Sequence, residues 1–174
     1  SPVLRTATPL MRELSLKRHV NVGLASADRA EMVYLESIRY NRKASLRTVV
    51  AGQRVPIELT SLGRAYLATL DGAARGELLA RIMHGYRSAS WKPIRLDIER
   101  AIAKVSTRGY CAASWQPGVI ALATPLEGIG GPALALNLSL ATDEPLAAVE
   151  QRHAPALLAL KARILHELAV GIED

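Results

Sequence analysis

The feature that most constrains the fold is an alternation of large and small side chains in residues 118–141. Successive side chains along a β-strand point to opposite faces of the sheet. Residues 134–140 therefore place four leucines on one face and small or polar side chains on the other. Residues 119–126 alternate in the same way, and the glycines within 128–131 mark the turn between the two segments. We predict a β-hairpin whose leucine face needs cover and whose small face has room for a ligand.

The length of 174 residues fits a single domain, residues 1–174, large enough to bury about 70% of its unfolded surface without disulfides or metals. The single cysteine, Cys111, excludes an internal disulfide and agrees with a reducing compartment. No apolar run approaches the roughly 20 residues of a membrane span, and the first residues lack a signal-peptide pattern. The expectation is a soluble cytoplasmic protein with no membrane partner.

The net charge of +6 lies almost wholly in the first fifty residues, which hold nine basic and four acidic side chains. Scattered arginines of this kind are more typical of a solvated surface than of a nucleic-acid interface. Phe is absent and aromatic residues make up 4% of the chain, so there are few platforms on which bases could stack. The sequence does not favour nucleic-acid binding by this domain itself.

The other elements follow from hydrophobic spacing and from helix start and stop signals. A helix is predicted to start at Thr8-Pro9. Thr60 or Ser61 is predicted to cap a second helix, and Asp71 a third that reaches about His84. The full set of further predictions is strands at 19–26, 32–39 and 46–50, a turn at 52–56, a helix at 94–108 ended by Gly109, a strand at 110–114, and a last helix to about residue 170 that Pro155 can bend. Strands joined in hairpins, with helices set apart, indicate an α+β fold with a largely antiparallel sheet.

Two further features bear on a ligand. The strand at 19–26 also has a small face, formed by Asn21, Gly23 and Ala25, which suggests that both hairpins belong to one sheet. The helix that starts at Thr60 offers unpaired backbone N–H groups and the positive end of its dipole, which suit an anion such as a carboxylate.

Signatures of an enzyme are mostly missing. The four histidines show no metal-ligand spacing, so neither a metal nor a cofactor is expected. Cys111 would act as a nucleophile only with a base and an oxyanion donor nearby, and a buried inert thiol is the plainer interpretation. We expect no enzymatic activity.

Residues 52–68, GQRVPIELTSLGRAYLA, resemble the pattern Gly-x-Arg-x-Pro followed by Ala/Ser-x-x-Gly-Lys-Ala-x-Leu-Ala of IclR-type bacterial transcription regulators. The motifs Arg108-Gly-Tyr110 and residues 118–125, GVIALATP, are similar to later motifs of the same effector-binding domain. The resemblance covers essentially the whole chain, and the motifs occur in the expected order.

The resemblance implies a GAF-like fold, with an antiparallel sheet of about six strands, helices packed on one face and an effector pocket on the other. In the family a separate N-terminal winged helix-turn-helix domain binds DNA, and this chain looks like the sensor half of a longer regulator or a stand-alone homologue. The resemblance also implies dimers or tetramers whose arrangement the effector alters, and thereby control of DNA binding.

The ligand-binding positions of the family fall on eight residues of this chain: Thr60, Ser61, Leu62, Ala113, Val119, Ala121, Asn137 and Ser139. The chain departs from the family in four ways: Arg64 replaces a lysine, Leu62 is bulkier than usual, Ala113 or Ser114 stands where an acidic residue is frequent, and the loop before Gly118 is shorter. We predict that the effector is a small, partly apolar organic acid. Its carboxylate would be held by backbone N–H groups near Ser61 and Leu62 and by Asn137 and Ser139.

Two other functions stay open at this point. A dimerisation module without a ligand would also use small residues, because they allow close helix packing. A GAF-like enzyme would depend on Cys111.

Overall fold

Residues 118–141 form the predicted hairpin in a computed structural model that describes residues 1–40, 47–48 and 52–173. Five helices and seven strands lie within these ranges. In chain order they are α1 (Pro2–Arg18), β1 (Asn21–Asp28), β2 (Glu31–Arg39), β3 (Arg47–Thr48), β4 (Arg54–Pro56), α2 (Ser61–Leu67), α3 (Gly72–Met83), α4 (Ser88–Arg108), β5 (Cys111–Ala113), β6 (Val119–Leu126), β7 (Leu134–Ala141) and α5 (Leu146–Glu173).

All paired strands are antiparallel, in the order β3-β2-β1-β7-β6-β5, with β4 also paired to β2. The two small-faced strands are neighbours, because β1 pairs with β7 in a register that places Asn21 beside Ser139 and Gly23 beside Asn137. The prediction that both hairpins belong to one sheet is therefore confirmed.

Helices α1 and α5 cover the leucine face of the sheet. Leu122, Leu136 and Leu138 are fully buried there, in one core cluster with Met11 of α1 and Leu157 of α5. The α+β, GAF-like prediction is confirmed, including the helices over the leucines.

Helices α2, α3 and α4 bring a second apolar cluster against part of the small face, around Ala25, Ala123 and Ala135. Close approach of α2 explains a glycine in the Gly-Arg-Ala motif. A Cβ at Gly63 would lie 2.1 Å from the carbonyl oxygen of Ile57, a distance that backbone atoms cannot accept. Glycine at this position therefore lets α2 settle against the chain that precedes it, which sets where the helix starts over the sheet.

A β-bulge in β2 controls which of its side chains face each side of the sheet. Leu24 pairs with Glu36 and Ala25 pairs with Tyr34, so Leu35 is the extra residue. An extra residue shifts the alternation by one position. As a result Ile38 joins the core under α1 and α5, while Tyr34 and Arg39 both reach the small face.

Two helices begin earlier than predicted. Helix α1 starts at Pro2, which supplies the proline of the first turn, and continues through Pro9; the Thr8 hydroxyl donates to Glu36 Oε2 at 3.2 Å and does not cap the helix. Helix α4 starts at Ser88, six residues before Ile94. Its first turn is anchored by Trp91, which is buried, so the helix is established before Pro93.

The predicted turn at 52–56 is wrong in part, because Arg54–Pro56 forms β4, and Pro56 is tolerated at its last position. Of the predicted strand at 46–50, the structure describes only Arg47–Thr48, paired with β2, and the remainder lies outside the described residues. The predicted caps are confirmed: Thr60 and Asp71 accept hydrogen bonds from Gly63 N and Ala74 N. No helix in the described part of the chain has both the length and the apolar character needed to cross a membrane.

Candidate functional site

A cavity of about 200 Å³ lies between the small face of the sheet and the start of α2. All eight residues predicted to bind a ligand line it, namely Thr60, Ser61, Leu62, Ala113, Val119, Ala121, Asn137 and Ser139. A closed apolar cavity of about 150 Å³ can hold one benzene molecule. The space therefore suits a molecule of roughly one ring with its substituents, and ligand contact by these residues stays a prediction.

The floor of the cavity is built by strand register. Asn21, Ser139, Ala121 and Ala113 are successive cross-strand partners on β1, β7, β6 and β5. Their side chains are short, so the row leaves open volume above the sheet. The hydroxyl and amide of Ser139 and Asn21 give this floor a polar edge, while the two alanines keep its other half apolar.

The start of α2 forms the opposite wall. The Thr60 hydroxyl donates to the Pro56 carbonyl at 2.7 Å and accepts from Gly63 N at 3.1 Å, so its hydrogen bonds are made within the protein. Ser61 differs from its neighbour. It is only 2% exposed, and its hydroxyl oxygen has no hydrogen-bond partner among the described residues. A buried hydroxyl without a partner costs free energy, and this one lies on the cavity wall.

Leu62 narrows the cavity without filling it. It is 1% exposed and packs into the apolar cluster formed with α3 and α4. The volume of about 200 Å³ remains with this side chain in place. The bulky residue at this family position therefore gives the cavity an apolar wall and reduces the size of ligand that it can take.

Tyr34 and Asn137 form a polar pair beside the floor. Asn137 Nδ2 donates to the Tyr34 hydroxyl oxygen at 3.2 Å, which leaves the phenolic proton free to donate elsewhere. Burial raises the pKa of Tyr34, an effect that the Asn137 hydrogen bond and the charge of Arg39 partly offset. The phenol is therefore neutral at physiological pH and is a donor. Gly23 makes room for the pair, since a Cβ there would lie 2.5 Å from Tyr34 Cε1 and 2.7 Å from Asn137 Oδ1.

Arg39 is the only charged side chain among the described residues that line the cavity. With no carboxylate from this part of the chain to balance it, the wall carries a positive charge. This polarity favours an anionic ligand.

Several lining residues were not predicted from the sequence: Asn21, Tyr34, Arg39, Gln53, Val55, Trp115, Gln116 and Ala141. Asn21 stands on a strand whose small face was visible in the sequence, so it could have been included. Tyr34 and Arg39 could not, because the bulge in β2 breaks simple alternation between them.

The structure also shows where the residues that depart from the family pattern lie. Arg64 does not line the cavity, and its Nε donates to the carbonyl oxygen of Glu58 at 3.0 Å. Of the two candidates for the acidic strand position, Ala113 lines the cavity, whereas the Ser114 hydroxyl donates to the Val119 carbonyl at 2.7 Å. The cavity therefore lacks a carboxylate at that position.

Cys111 lies beneath α2, fully buried, with its Sγ 3.4 Å from the Ser61 carbonyl oxygen. Burial raises the pKa of this thiol to about 12, so it carries its proton at physiological pH and is a poor nucleophile. The described residues contain no group of three or more His, Cys, Asp or Glu side chains that could hold a metal ion.

An α+β domain with a small, positively charged cavity between its sheet and the start of a helix is suited to binding a small anionic molecule. A family profile described as "Bacterial transcriptional regulator IclR C-terminal" matches residues 1–164, so the chain belongs to the IclR family and corresponds to its C-terminal effector-binding domain. The similarities are to transcription regulators and not to enzymes, in agreement with the expectation from the sequence.

Three relatives illustrate the similarity. The chain is 27% identical to the Pca regulon regulatory protein of Pseudomonas putida, over 97% of this chain and 59% of that protein. It is also 27% identical to an IclR family transcriptional regulator from Brucella abortus, with a TM-score of 0.86, over 95% of this chain and 63% of that one. An IclR homolog from Microbacterium hydrocarbonoxydans, solved in complex with 4-hydroxybenzoate, shares the fold with a TM-score of 0.75 at 18% identity, over 97% of this chain and 68% of that one. The chain thus spans about three fifths of the length of the first two relatives.

Proposed function

We propose that this domain senses a small organic acid for a bacterial transcription regulator. The acid would bind in the cavity, with its carboxylate at the start of α2, near the backbone N–H groups of Ser61 and Leu62, and in reach of Asn137 and Ser139. The observation that carries this proposal is the Ser61 hydroxyl, which is buried, lines the cavity and has no partner among the described residues. A bound carboxylate would supply the missing acceptor.

The polarity of the cavity supports an acid over a neutral or cationic ligand. Arg39 provides a positive charge, Tyr34 provides a neutral donor, and none of the described residues places a carboxylate on the wall. The relative from Microbacterium hydrocarbonoxydans, whose fold this chain shares, was solved with an aromatic acid. Leu62 and the alanines of the floor suit the apolar part of such a molecule.

Regulation would follow from thermodynamic linkage. An acid that binds one arrangement of a dimer or tetramer better than another shifts the population toward it. The shift would change the spacing of DNA-binding domains attached to the assembly, and so the affinity for an operator in the cytoplasm. This step requires a differential affinity for the two arrangements, and binding alone would not produce it.

Asn137 gives a direct test of the carboxylate site. Hydrogen bonds to a charged group contribute roughly 1.5 to 3 kcal/mol each, so Asn137→Leu should weaken acid binding at least about tenfold. The measurement is titration calorimetry with the acids that raise the melting temperature of the wild-type domain in a screen of carboxylic acids. Unchanged affinity in Asn137→Leu would remove Asn137 from the site.

The same screen tests the proposed function as a whole. Saturable stabilisation by one or a few acids supports sensing. A flat response across a broad panel would favour a dimerisation module without a ligand, in which the small residues serve only to let helices approach the sheet.

A further inference from the structure

Arg39 and the start of α2 reach the cavity from different parts of the sheet. It lies at the end of β2, whereas Ser61 lies over β5, as its contact with Cys111 shows. Three strands separate β2 from β5 in the sheet. At 4.7 to 4.9 Å per strand the two are about 19 Å apart on a flat sheet. Curvature of the sheet and the long arginine side chain shorten this gap, so that both groups line the one cavity from different elements.

Arg39 has no acid to neutralise it in the part of the chain that the structure describes. The ion pairs among the described residues do not include it. The sequence of residues 41–51, which follows directly, contains no Asp or Glu. Glu36, close to it on the same strand, faces α1 and accepts from Thr8, on the other side of the sheet.

The bulge at Leu35 brings the guanidinium to this position. With regular alternation from Tyr34, the cavity side of β2 would carry Glu36 and Ile38. The strand instead presents a cation next to the phenol of Tyr34, whose pKa is raised by burial, an increase that Asn137 and the charge of Arg39 offset only in part. Two sets of donors therefore line the cavity: Ser61 with the start of α2, over β5, and Arg39 at the end of β2.

A single carboxylate at the start of α2 would already have Ser61, Asn137 and Ser139 as partners, which leaves the guanidinium of Arg39 without an anion. We propose that the effector is an acid with two anionic groups: one carboxylate at the start of α2, and a second anionic group paired with Arg39. This inference rests on the proposed sensing of an acid in the same cavity. It makes Arg39 the residue that selects such an acid over a molecule of the same shape with a single charge.

The test compares each diacid with its monoamide, which keeps the shape and removes one negative charge. The probes are succinate, glutarate, adipate and terephthalate with their monoamides, titrated by calorimetry into the wild-type domain, Arg39→Gln and Arg39→Lys. Arg39 is exposed, so its replacement should not disturb folding. Arg81→Gln is the matched control, because Arg81 is also exposed and lies on α3, away from the cavity lining.

The wild-type domain should bind at least one diacid about tenfold more tightly than its monoamide, as expected for a charge-assisted pair. Arg39→Gln should abolish this preference and leave the affinity for the monoamide unchanged. Arg39→Lys should keep part of the preference for the diacid, since lysine retains the positive charge but cannot form a bidentate hydrogen bond with a carboxylate. Raising the salt concentration should reduce the preference in the wild type and have little effect in Arg39→Gln.

Three results would overturn the inference in distinguishable ways. If monoamides bind as tightly as diacids, or if the preference survives in Arg39→Gln, the domain still senses an acid, but Arg39 does not pair with a second anionic group of that acid. If Arg39→Gln weakens binding of a monoamide as much as binding of its diacid, Arg39 binds the single carboxylate, and the proposal of two anionic groups at separate positions is wrong. If no acid binds the wild-type domain, the proposed function fails together with the inference.

Discussion

Replacing Ser61 with alanine should weaken acid binding and leave the fold as stable as before, or more stable. Most buried polar side chains stabilise a protein through hydrogen bonds, so their loss lowers the free energy of unfolding. The Ser61 hydroxyl is buried and makes no such bond within the described residues. Its removal therefore takes away an unpaired group and costs no contact of the ligand-free domain.

The two effects have different signs and can be estimated. An unsatisfied buried polar group costs about 1 to 3 kcal/mol, and Ser61 follows the N-cap Thr60 and does not itself cap the helix. Ser61→Ala should therefore leave the free energy of unfolding unchanged or raise it by up to about 3 kcal/mol. A hydrogen bond to a carboxylate contributes about 1.5 to 3 kcal/mol. Its loss should weaken binding of the acid about tenfold or more.

Thr60 is the matched control, because it is the adjacent residue and its hydroxyl is fully used. It accepts from Gly63 N and donates to the Pro56 carbonyl. Thr60→Ala should lower the free energy of unfolding by about 0.5 to 2 kcal/mol, as loss of a helix cap does. Urea denaturation without ligand gives the stability of both variants, and calorimetry with the acid found in the screen gives their affinities.

If Ser61→Ala is destabilised as much as Thr60→Ala in the absence of ligand, the Ser61 hydroxyl already has a partner in the folded protein, and this prediction is wrong. If Ser61→Ala binds the acid with wild-type affinity, the unpaired hydroxyl has no role in the site.

Two other predictions concern the packing around α2. Gly63→Ala should lower the free energy of unfolding by at least about 2 to 3 kcal/mol in urea denaturation, because its Cβ would lie 2.1 Å from Ile57 O. The control is Gly76→Ala in α3, where a Cβ would have nothing within 4 Å; it should raise the free energy of unfolding by about 0.5 to 1 kcal/mol. Equal effects of the two substitutions would contradict the close approach of α2. Cys111 should resist thiol reagents in the folded domain at pH 8. Burial raises the pKa of Cys111 to about 12 from 9.0, so the folded state holds the thiol proton more tightly than the unfolded state does. This contribution to the free energy of unfolding is complete below pH 9 and is lost as the pH rises from 9 to 12. Rapid labelling at pH 8 would contradict the prediction, because it would show that the thiol is accessible.

The sheet was the most predictable part of the fold because alternation has a single structural meaning when it runs over a whole strand. The leucines of β7 fixed which face needed cover, and the small residues of β1 and β7 indicated a common sheet. Proline signals were less reliable than the glycine signal at Gly109, which does end α4. Pro9 and Pro93 lie inside helices, where burial of neighbours such as Trp91 outweighs the missing hydrogen bond.

The cavity was predictable only in part. Family resemblance indicated eight residues, and the structure brings them to one cavity. It could not indicate Arg39, because the position of that side chain depends on the bulge between Tyr34 and Glu36, which no turn residue or glycine marks in the sequence. It could not show that the Ser61 hydroxyl is unpaired either, since hydrogen-bond partners depend on the packing of α2 against residue 57.

The bulge in β2 also bears on how such a domain could change its ligand during evolution. If Leu35 took part in regular pairing and did not bulge, the strand beyond it would turn by half a period. Glu36 and Ile38 would then lie on the cavity side and Arg39 on the opposite face, so the cavity wall would lose its cation. Deleting Leu35, in contrast, would leave Arg39 on the cavity side, because Leu35 is the extra residue. The charge of the wall thus depends on the register of β2 as much as on the residues that the strand contains.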